Sequence, residues 1–332
     1  MKNKKIFDTI SNYRLILLMV FIIVIATIFS PSFFKLNNLL NTLSYMSVNG
    51  IISIGLTLLM ISKYFDLSVG SILGLSGAIS VIVINNFGSS VLGIIAGLIS
   101  GIILGLLNGL IVTKLKINSF IATLGTMVIY QGITFAITDS RAISTDAITF
   151  QRFSTIKIFN IPIIIIYFIV VILVIWLISR FTKLGKFAYA IGGNPYACRS
   201  MGIKVESYVL ILYILSGFFA SFSGVILSSS ILAASGTFGN DIILVIIAAV
   251  VIGGVRLSGG VGRVWGVVQG IILIALIENV TVFLGFYGNW QLFFRSILLL
   301  AVVIFDIISY KQVMKMTQKR ELELMLSERK KL

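Results

Sequence analysis

Long apolar runs alternate with short polar breaks along the whole chain. An α-helix rises 1.5 Å per residue, so about 20 apolar residues cross the hydrocarbon core of a bilayer. Measured that way, the pattern predicts ten spans, roughly 14–31, 38–62, 67–85, 90–113, 119–138, 160–181, 206–230, 241–254, 261–285 and 291–309. Lys63-Tyr-Phe-Asp66 parts the second run from the third, so these two are either separate helices or one broken element. The fold class this predicts is all-α, a polytopic transmembrane helical bundle at 14–309. A short tail at 1–13 precedes it and a basic tail at 310–332 follows.

Two runs repeat each other 169 positions apart. Gly97-Leu-Ile-Ser-Gly101-Ile-Ile-Leu104 is matched by Gly266-Val-Val-Gln-Gly270-Ile-Ile-Leu273. Two copies of one membrane unit mark a transporter, with the solute path between the halves. The shared Gly-x-x-x-Gly spacing lets a neighbouring helix approach closely, and helix packing is the role read for these glycines.

Composition narrows the class. The 332 residues are 58% hydrophobic and 11% charged, against about 25% charged in a soluble domain. Such a chain is an integral membrane protein. It has no His, which removes the commonest metal ligand and proton shuttle. Cys198 is alone, so no internal disulfide or Cys cluster forms. No catalytic residue, metal site or resident cofactor is expected. The net charge of +15 does not point to nucleic acid, because the Lys and Arg sit in short loops between apolar runs. At the N-terminus, Lys2, Lys4 and Lys5 precede the apolar run from Leu15 to Phe29, but no small-residue cleavage site follows. That run reads as a retained first helix.

The charges also set orientation. With the N-terminus cytoplasmic, only Lys35, Arg141, Arg152, Lys157 and Arg295 of the 26 Lys and Arg fall outside. The positive-inside rule then places both termini in the cytoplasm and requires an even number of spans. It also runs the two Gly-x-x-x-Gly spans in opposite directions, as an inverted repeat demands.

One cytoplasmic loop, 182–205, carries a compact set of signals. Gly192-Gly193 permits a tight turn. Asn194 is a good N-cap and Pro195 suits the first helical position. Gly202 can stop a helix of about two turns, from Pro195 to Met201, in a left-handed conformation. So short a helix needs bracing. It is either a capped connector between two spans or a rigid knob that a motor protein pushes.

These blocks carry a resemblance. Ala190-Ile-Gly-Gly-Asn-Pro, followed by Gly202-Ile, resembles the cytoplasmic loop of permease subunits of ribose-type ABC importers. Asp66-Leu-Ser-Val-Gly-Ser-Ile-Leu-Gly-Leu-Ser-Gly-Ala78 is similar to the second-to-third span region of the same family. Phe120-Ile-Ala-Thr-Leu-Gly125, Ile247-Ala-Ala-Val-Val-Ile-Gly-Gly254 and Gly259-Gly-Val-Gly-Arg-Val-Trp-Gly266 match in the family's order, from about 38 to 305. The wider group also holds branched-chain amino acid permeases. Two departures stand out. Lys63-Tyr-Phe-Asp66 replaces the usual Gly-Gly-Ile-Asp, and Glu278-Asn279 stands where Asn-Asn is common.

The resemblance implies a machine of several parts. Permeases pair as homodimers or heterodimers in the plasma membrane, and an extracytoplasmic solute-binding protein delivers the solute. The loop helix, with Gly192, Gly193, Asn194, Pro195, Arg199 and Gly202, docks on a cytoplasmic ATP-binding subunit. The chain has no G-x-x-x-x-G-K-[ST] phosphate loop, so ATP is used by that partner. The solute it implies is a small polar one, a monosaccharide such as ribose. A nucleoside or a sugar-derived signal molecule is the alternative. An ion-coupled secondary transporter would need more ionisable groups within its spans than this chain offers.

Polar residues inside spans are costly and mark paths or helix contacts. The candidates for a solute path are Asn49, Asp66, Gln131, Glu278 and Asn279. Asp66 and Asp241 stand at helix starts, where capping is the competing role. Glu278 and the amides, with Asn108 among them, can equally join helices. The outer loop from Asp139 to Asn160 is either a surface for the binding protein or a solvated loop. The tail from Tyr310 to Leu332, with seven basic and three acidic residues, reads as a cytoplasmic helix near anionic lipid.

Overall fold

Most of the predicted apolar spans form helices in a computed structural model of the chain. The structure describes residues 31–283 without a break, with single residues or short runs within 15–27 and 285–304. The helices are α1 (Leu36–Ile61), α2 (Val69–Phe87), α3 (Ser90–Thr113), α4 (Ser119–Ile137), α5 (Ile148–Thr155), α6 (Ile163–Phe181), α7 (Lys183–Gly193), α8 (Pro195–Ser200), α9 (Val205–Ile231), α10 (Ile242–Ile252) and α11 (Val264–Phe283). Among the described residues, strand is limited to two small antiparallel pairs. In one, β1 (Ile143–Ser144) meets β4 (Ala233–Ala234), and in the other β2 (Lys157–Ile158) meets β3 (Ile161–Pro162).

Seven helices, α1 to α4, α6, α9 and α11, are long and apolar enough to cross a membrane. The all-α polytopic class therefore holds. Spans predicted at 38–62, 67–85, 90–113, 119–138, 160–181, 206–230 and 261–285 each meet one of these helices within a few residues. The second and third are separate helices, joined through 62–68. The run at 241–254 is a correction. It forms only the 11 residues of α10, about 16 Å at 1.5 Å per residue, which is too short to cross. The backbone leaves the helix at Gly253 and turns left-handed at Gly254, φ 86°. The predicted first and tenth spans, and the basic tail, lie outside the continuously described residues.

α1 sits at the centre. It is buried almost without interruption from Met46 to Ile61 and packs against α9, α6, α11 and α10. α3 shows how the outer layer is built. Gly93, Gly97, Gly101, Gly105 and Gly109 lie one turn apart on its buried face, while Ile99, Ile102, Ile103 and Leu107 are exposed on the rest. A helix that is apolar all round, yet exposed on one side, has lipid for its neighbour. A Cβ at Gly101 would meet the Ser221 side chain and the Gly217 carbonyl of α9. A Cβ at Gly270 would meet the Ala249 carbonyl of α10. Both Gly-x-x-x-Gly copies thus let backbone approach backbone, as their spacing predicts.

Candidate functional site

Three places bear on function, and each is assembled from local rules. The first is the elbow at 62–68. α1 ends at Ile61, Lys63 turns left-handed at φ 70°, and the chain leaves helical geometry before α2. Backbone groups freed at membrane depth need partners within the protein. Phe65 N donates to Ser119 Oγ at 3.3 Å, Leu67 N to Thr123 Oγ1 at 3.1 Å, and Tyr213 donates to Phe65 O at 2.8 Å. Asp66 is 1% exposed. Its carboxylate accepts from Ser68 N (3.1 Å), Ser68 Oγ (2.7 Å), Ser216 Oγ (2.9 Å) and Asn108 Nδ2 (3.4 Å). Asn108 in turn accepts from Tyr130 at 2.9 Å. The structure therefore encloses Asp66 in a network joining the elbow to α3, α4 and α9. Nor does Asp66 cap α2, whose N-cap is Ser68.

The second place is a polar face between α1 and α11. Asn49, Ser53 and Met46 of α1 line a crevice with Glu278 and Ala275 of α11 and Val245 and Ala249 of α10. Next to it lies a cavity of about 340 Å³, lined by Asn38, Asn41, Thr42, Tyr45, Ala275, Glu278, Asn279 and Val282. Glu278 borders both. Asn279 and Asn38 exchange reciprocal amide hydrogen bonds of 3.1 Å, and Asn279 also donates to Thr42 at 2.8 Å. Asn279 thus ties α11 to α1 at the cavity wall.

Three of the five path candidates, Asn49, Glu278 and Asn279, therefore come together on one face. Asp66 does not join them. Neither does Gln131, whose Nε2 donates to Asn240 at 2.8 Å between α4 and the loop before α10. Sequence reasoning passed over Asn38, Asn41, Thr42 and Tyr45. Their spacing of three and four was the available signal, since with Asn49 they fall on one helical face.

The third place is the loop at 182–205. Asn194 ends α7 and caps α8, its Oδ1 accepting from Ala197 N at 3.0 Å, with Pro195 in the first turn. α8 stops at Ser200, where Gly202 N donates to Arg199 O (2.9 Å) and Ile203 N to Cys198 O (3.0 Å). With Gly202 at φ 80°, this is a Schellman stop. Arg199 pairs with Glu206 at 2.8 Å across the stop. Both side chains are about two-fifths exposed, so the pair sets loop geometry more than stability.

Gly192-Gly193 is a correction. These residues form no tight turn and end α7, a helix the loop was not expected to contain. The reason is tertiary. A Cβ at Gly192 would collide with Ile61 O and Gly260 N, which are hydrogen-bonded to each other at 2.8 Å, so glycine lets α7 rest on that junction. Gly193 has open space around it. Beside α8 lies a groove of about 810 Å³, rimmed by Lys63, Tyr64, Lys116, Tyr196, Arg199 and Glu206.

Comparison with known proteins identifies the family. Residues 38–303 match the family model described as branched-chain amino acid transport system / permease component. The chain is 35% identical over 296 residues to the ribose import permease protein RbsC of Escherichia coli (strain K12), covering 88% of this chain and 92% of that one. It is 38% identical over 287 residues to RbsC of Bacillus subtilis (strain 168), covering 86% and 89%. The L-arabinose transport system permease protein AraH of Escherichia coli (strain K12) is 34% identical over 306 residues, covering 92% and 93%. With seven helices among the described residues long and apolar enough to cross, the chain is a multi-pass membrane protein, and it belongs to the family of permease components typified by the branched-chain amino acid transport system.

Proposed function

We propose that this chain is the membrane-spanning permease subunit of an ATP-binding cassette importer for a monosaccharide, ribose foremost. The observation that carries this reading is the cavity between α1 and α11, where amides, hydroxyls and one carboxylate, the groups that bind sugar hydroxyls, converge in an otherwise apolar bundle. The names of relatives that import ribose and arabinose support the solute class. In this reading the chain holds no cofactor. A separate ATP-binding subunit docks at α8, and a solute-binding protein delivers sugar from the other side. Asn41 and Tyr45 are exposed at the cavity rim, so a second permease copy completes the wall. The test is uptake into vesicles holding the permease, the ATPase and the binding protein. Ribose uptake should require ATP. Uptake driven by an ion gradient without ATP would overturn the reading, and uptake of nucleosides in place of pentoses would overturn the solute.

The proposed topology is ten membrane segments in the plasma membrane, in two inverted units, with both termini cytoplasmic; the segment at 241–254 completes its crossing outside the short helix α10. Equivalent landmarks lie 169 positions apart. α1 starts at Leu36 and α9 at Val205. Lys63 and Leu232 both turn left-handed after those helices, as do Lys116 and Gly285 after α3 and α11. Gly70 and Gly239, an equivalent pair, touch each other, as residues beside a pseudo-two-fold axis do. Reporter fusions after Leu332 and within 142–150 should report opposite sides. The same side for both would sink the even-span topology.

Glu278 and Asn279 now separate by role. Glu278→Gln keeps size but removes charge at the cavity, so uptake per assembled complex should fall or change selectivity while folded yield holds. Asn279→Leu removes the bonds to Asn38 and Thr42. At about 0.6 kcal/mol each within a membrane protein, that loss should show as a modest drop in folded yield. Unchanged uptake by Glu278→Gln would remove this carboxylate from the path.

A further inference from the structure

The connection from α5 to α6 is a two-residue hairpin in which Lys157 pairs with Pro162 and Ile158 with Ile161. Its turn residues, Phe159 and Asn160, are both left-handed, at φ 49° and 63°. Two positive φ values in a two-residue loop make a type I′ turn, whose favoured first residue is Asn, Asp or Gly. Phe at that place carries a steric cost that Gly escapes. Yet the ring touches almost nothing in the chain, being 96% exposed. Neither turn chemistry nor packing accounts for it.

The position of the hairpin indicates its partner. Ile163 N donates to Ile156 O at 2.9 Å, so α6 starts directly from the hairpin without a linker. The 19 residues of α6 rise about 28 Å, close to a hydrocarbon core of about 30 Å, so Ile163 stands at the hydrocarbon edge. The turn starts at Asn160, three residues further and at most about 10 Å away, which places it within or just above a headgroup layer about 5–8 Å deep on each side. The stretch 156–162 also exposes Ile156, Ile158 and Ile161, carries one cation, Lys157, and contains no acid. Further along α6, Ile169, Val170, Leu173 and Val174 are exposed as well.

We propose that the hairpin at 156–162 is an interfacial anchor that lays Phe159 into the headgroup layer, with Lys157 toward lipid phosphate. The proposal rests on α6 as a membrane span and is independent of the transported solute.

Spin labels at single cysteines test it, in a Cys198→Ser background reconstituted into vesicles of phosphatidylcholine and phosphatidylglycerol. Labels at Leu173→Cys and Tyr196→Cys set the lipid and aqueous limits. The ratio of collisions with oxygen to collisions with a water-soluble nickel chelate is read at Phe159→Cys and, should that variant fold poorly, at Ile158→Cys. A ratio between the two limits supports the anchor, and one at the Leu173 limit overturns it. A ratio near the Tyr196 limit overturns it. So does a ratio that leaves the aqueous limit only when a solute-binding protein is added, since that protein would then be the partner. Because the readout needs neither ATP nor sugar, failure of the proposed transport function leaves it unaffected.

Discussion

Asp66→Ala is expected to remove most of the folded protein, while Asp66→Asn retains a measurable fraction. The alanine variant strands three donors, Ser68 N, Ser68 Oγ and Ser216 Oγ, in a site where Asp66 is 1% exposed, while Asn108 Nδ2 keeps its 2.7 Å bond to Ser68 Oγ. An unsatisfied buried donor costs about 1–3 kcal/mol. Partial relaxation still leaves a loss of several kcal/mol, a large part of the stability of about 5–15 kcal/mol typical of a protein. Asparagine keeps one acceptor oxygen and can donate to Ser216. The check is the monodisperse fraction in detergent and its thermal midpoint. An alanine variant as stable as the parent would show that the network does not hold the elbow.

Gly192→Val is expected to cut ATP-driven uptake per assembled complex by about tenfold or more, with the spans intact. The new side chain meets a hydrogen-bonded pair of backbone groups, Ile61 O and Gly260 N, which cannot step aside as a flexible side chain can. α7 must lift, and α8 lifts with it. A displacement costing about 1.4 kcal/mol is already a factor of ten in an equilibrium. Ile61 ends α1, and Gly260 lies in the loop that leads into α11, so the junction reaches both helices of the sugar cavity. Gly193→Val is the contrast. Its side chain enters open space, so folded yield should hold and only a docked partner can register it, as weaker co-purification with the ATP-binding subunit. Equal uptake by the Gly192 variant and the parent would exclude the junction from coupling.

Features set within a few residues were legible in the sequence. Asn194, Pro195 and Gly202 announce the start and stop of α8, because capping is a contest among neighbouring backbone groups. Spans as long as α3 or α6 announce themselves by hydropathy. What escaped depended on distant partners. A glycine pair suggests a turn until Ile61, 131 positions earlier, is seen lying under Gly192. Asp66 at the head of an apolar run suggests a cap until Ser216, 150 positions later, closes over it. Composition alone could not shorten α10, since the left-handed Gly254 follows residues as apolar as any span. Asn38, Asn41 and Thr42 were passed over, because only α11 turns that end of α1 into a wall.

The glycine face of α3 has a mechanical consequence. A contact made by backbone has no rotamers, so it cannot settle into a second arrangement as interdigitated side chains can. Gly101 and Gly105 against Gly217 of α9 therefore weld α3 to α9, and Gly266 and Gly270 against Gly253 and Ala249 weld α11 to α10. Each pair then behaves as one stiff plate rather than two independent rods. The contacts of α1 with α11 are made instead by side chains such as Asn38, Thr42 and Asn279, so the wall of the cavity keeps a rotamer freedom that the glycine seams lack.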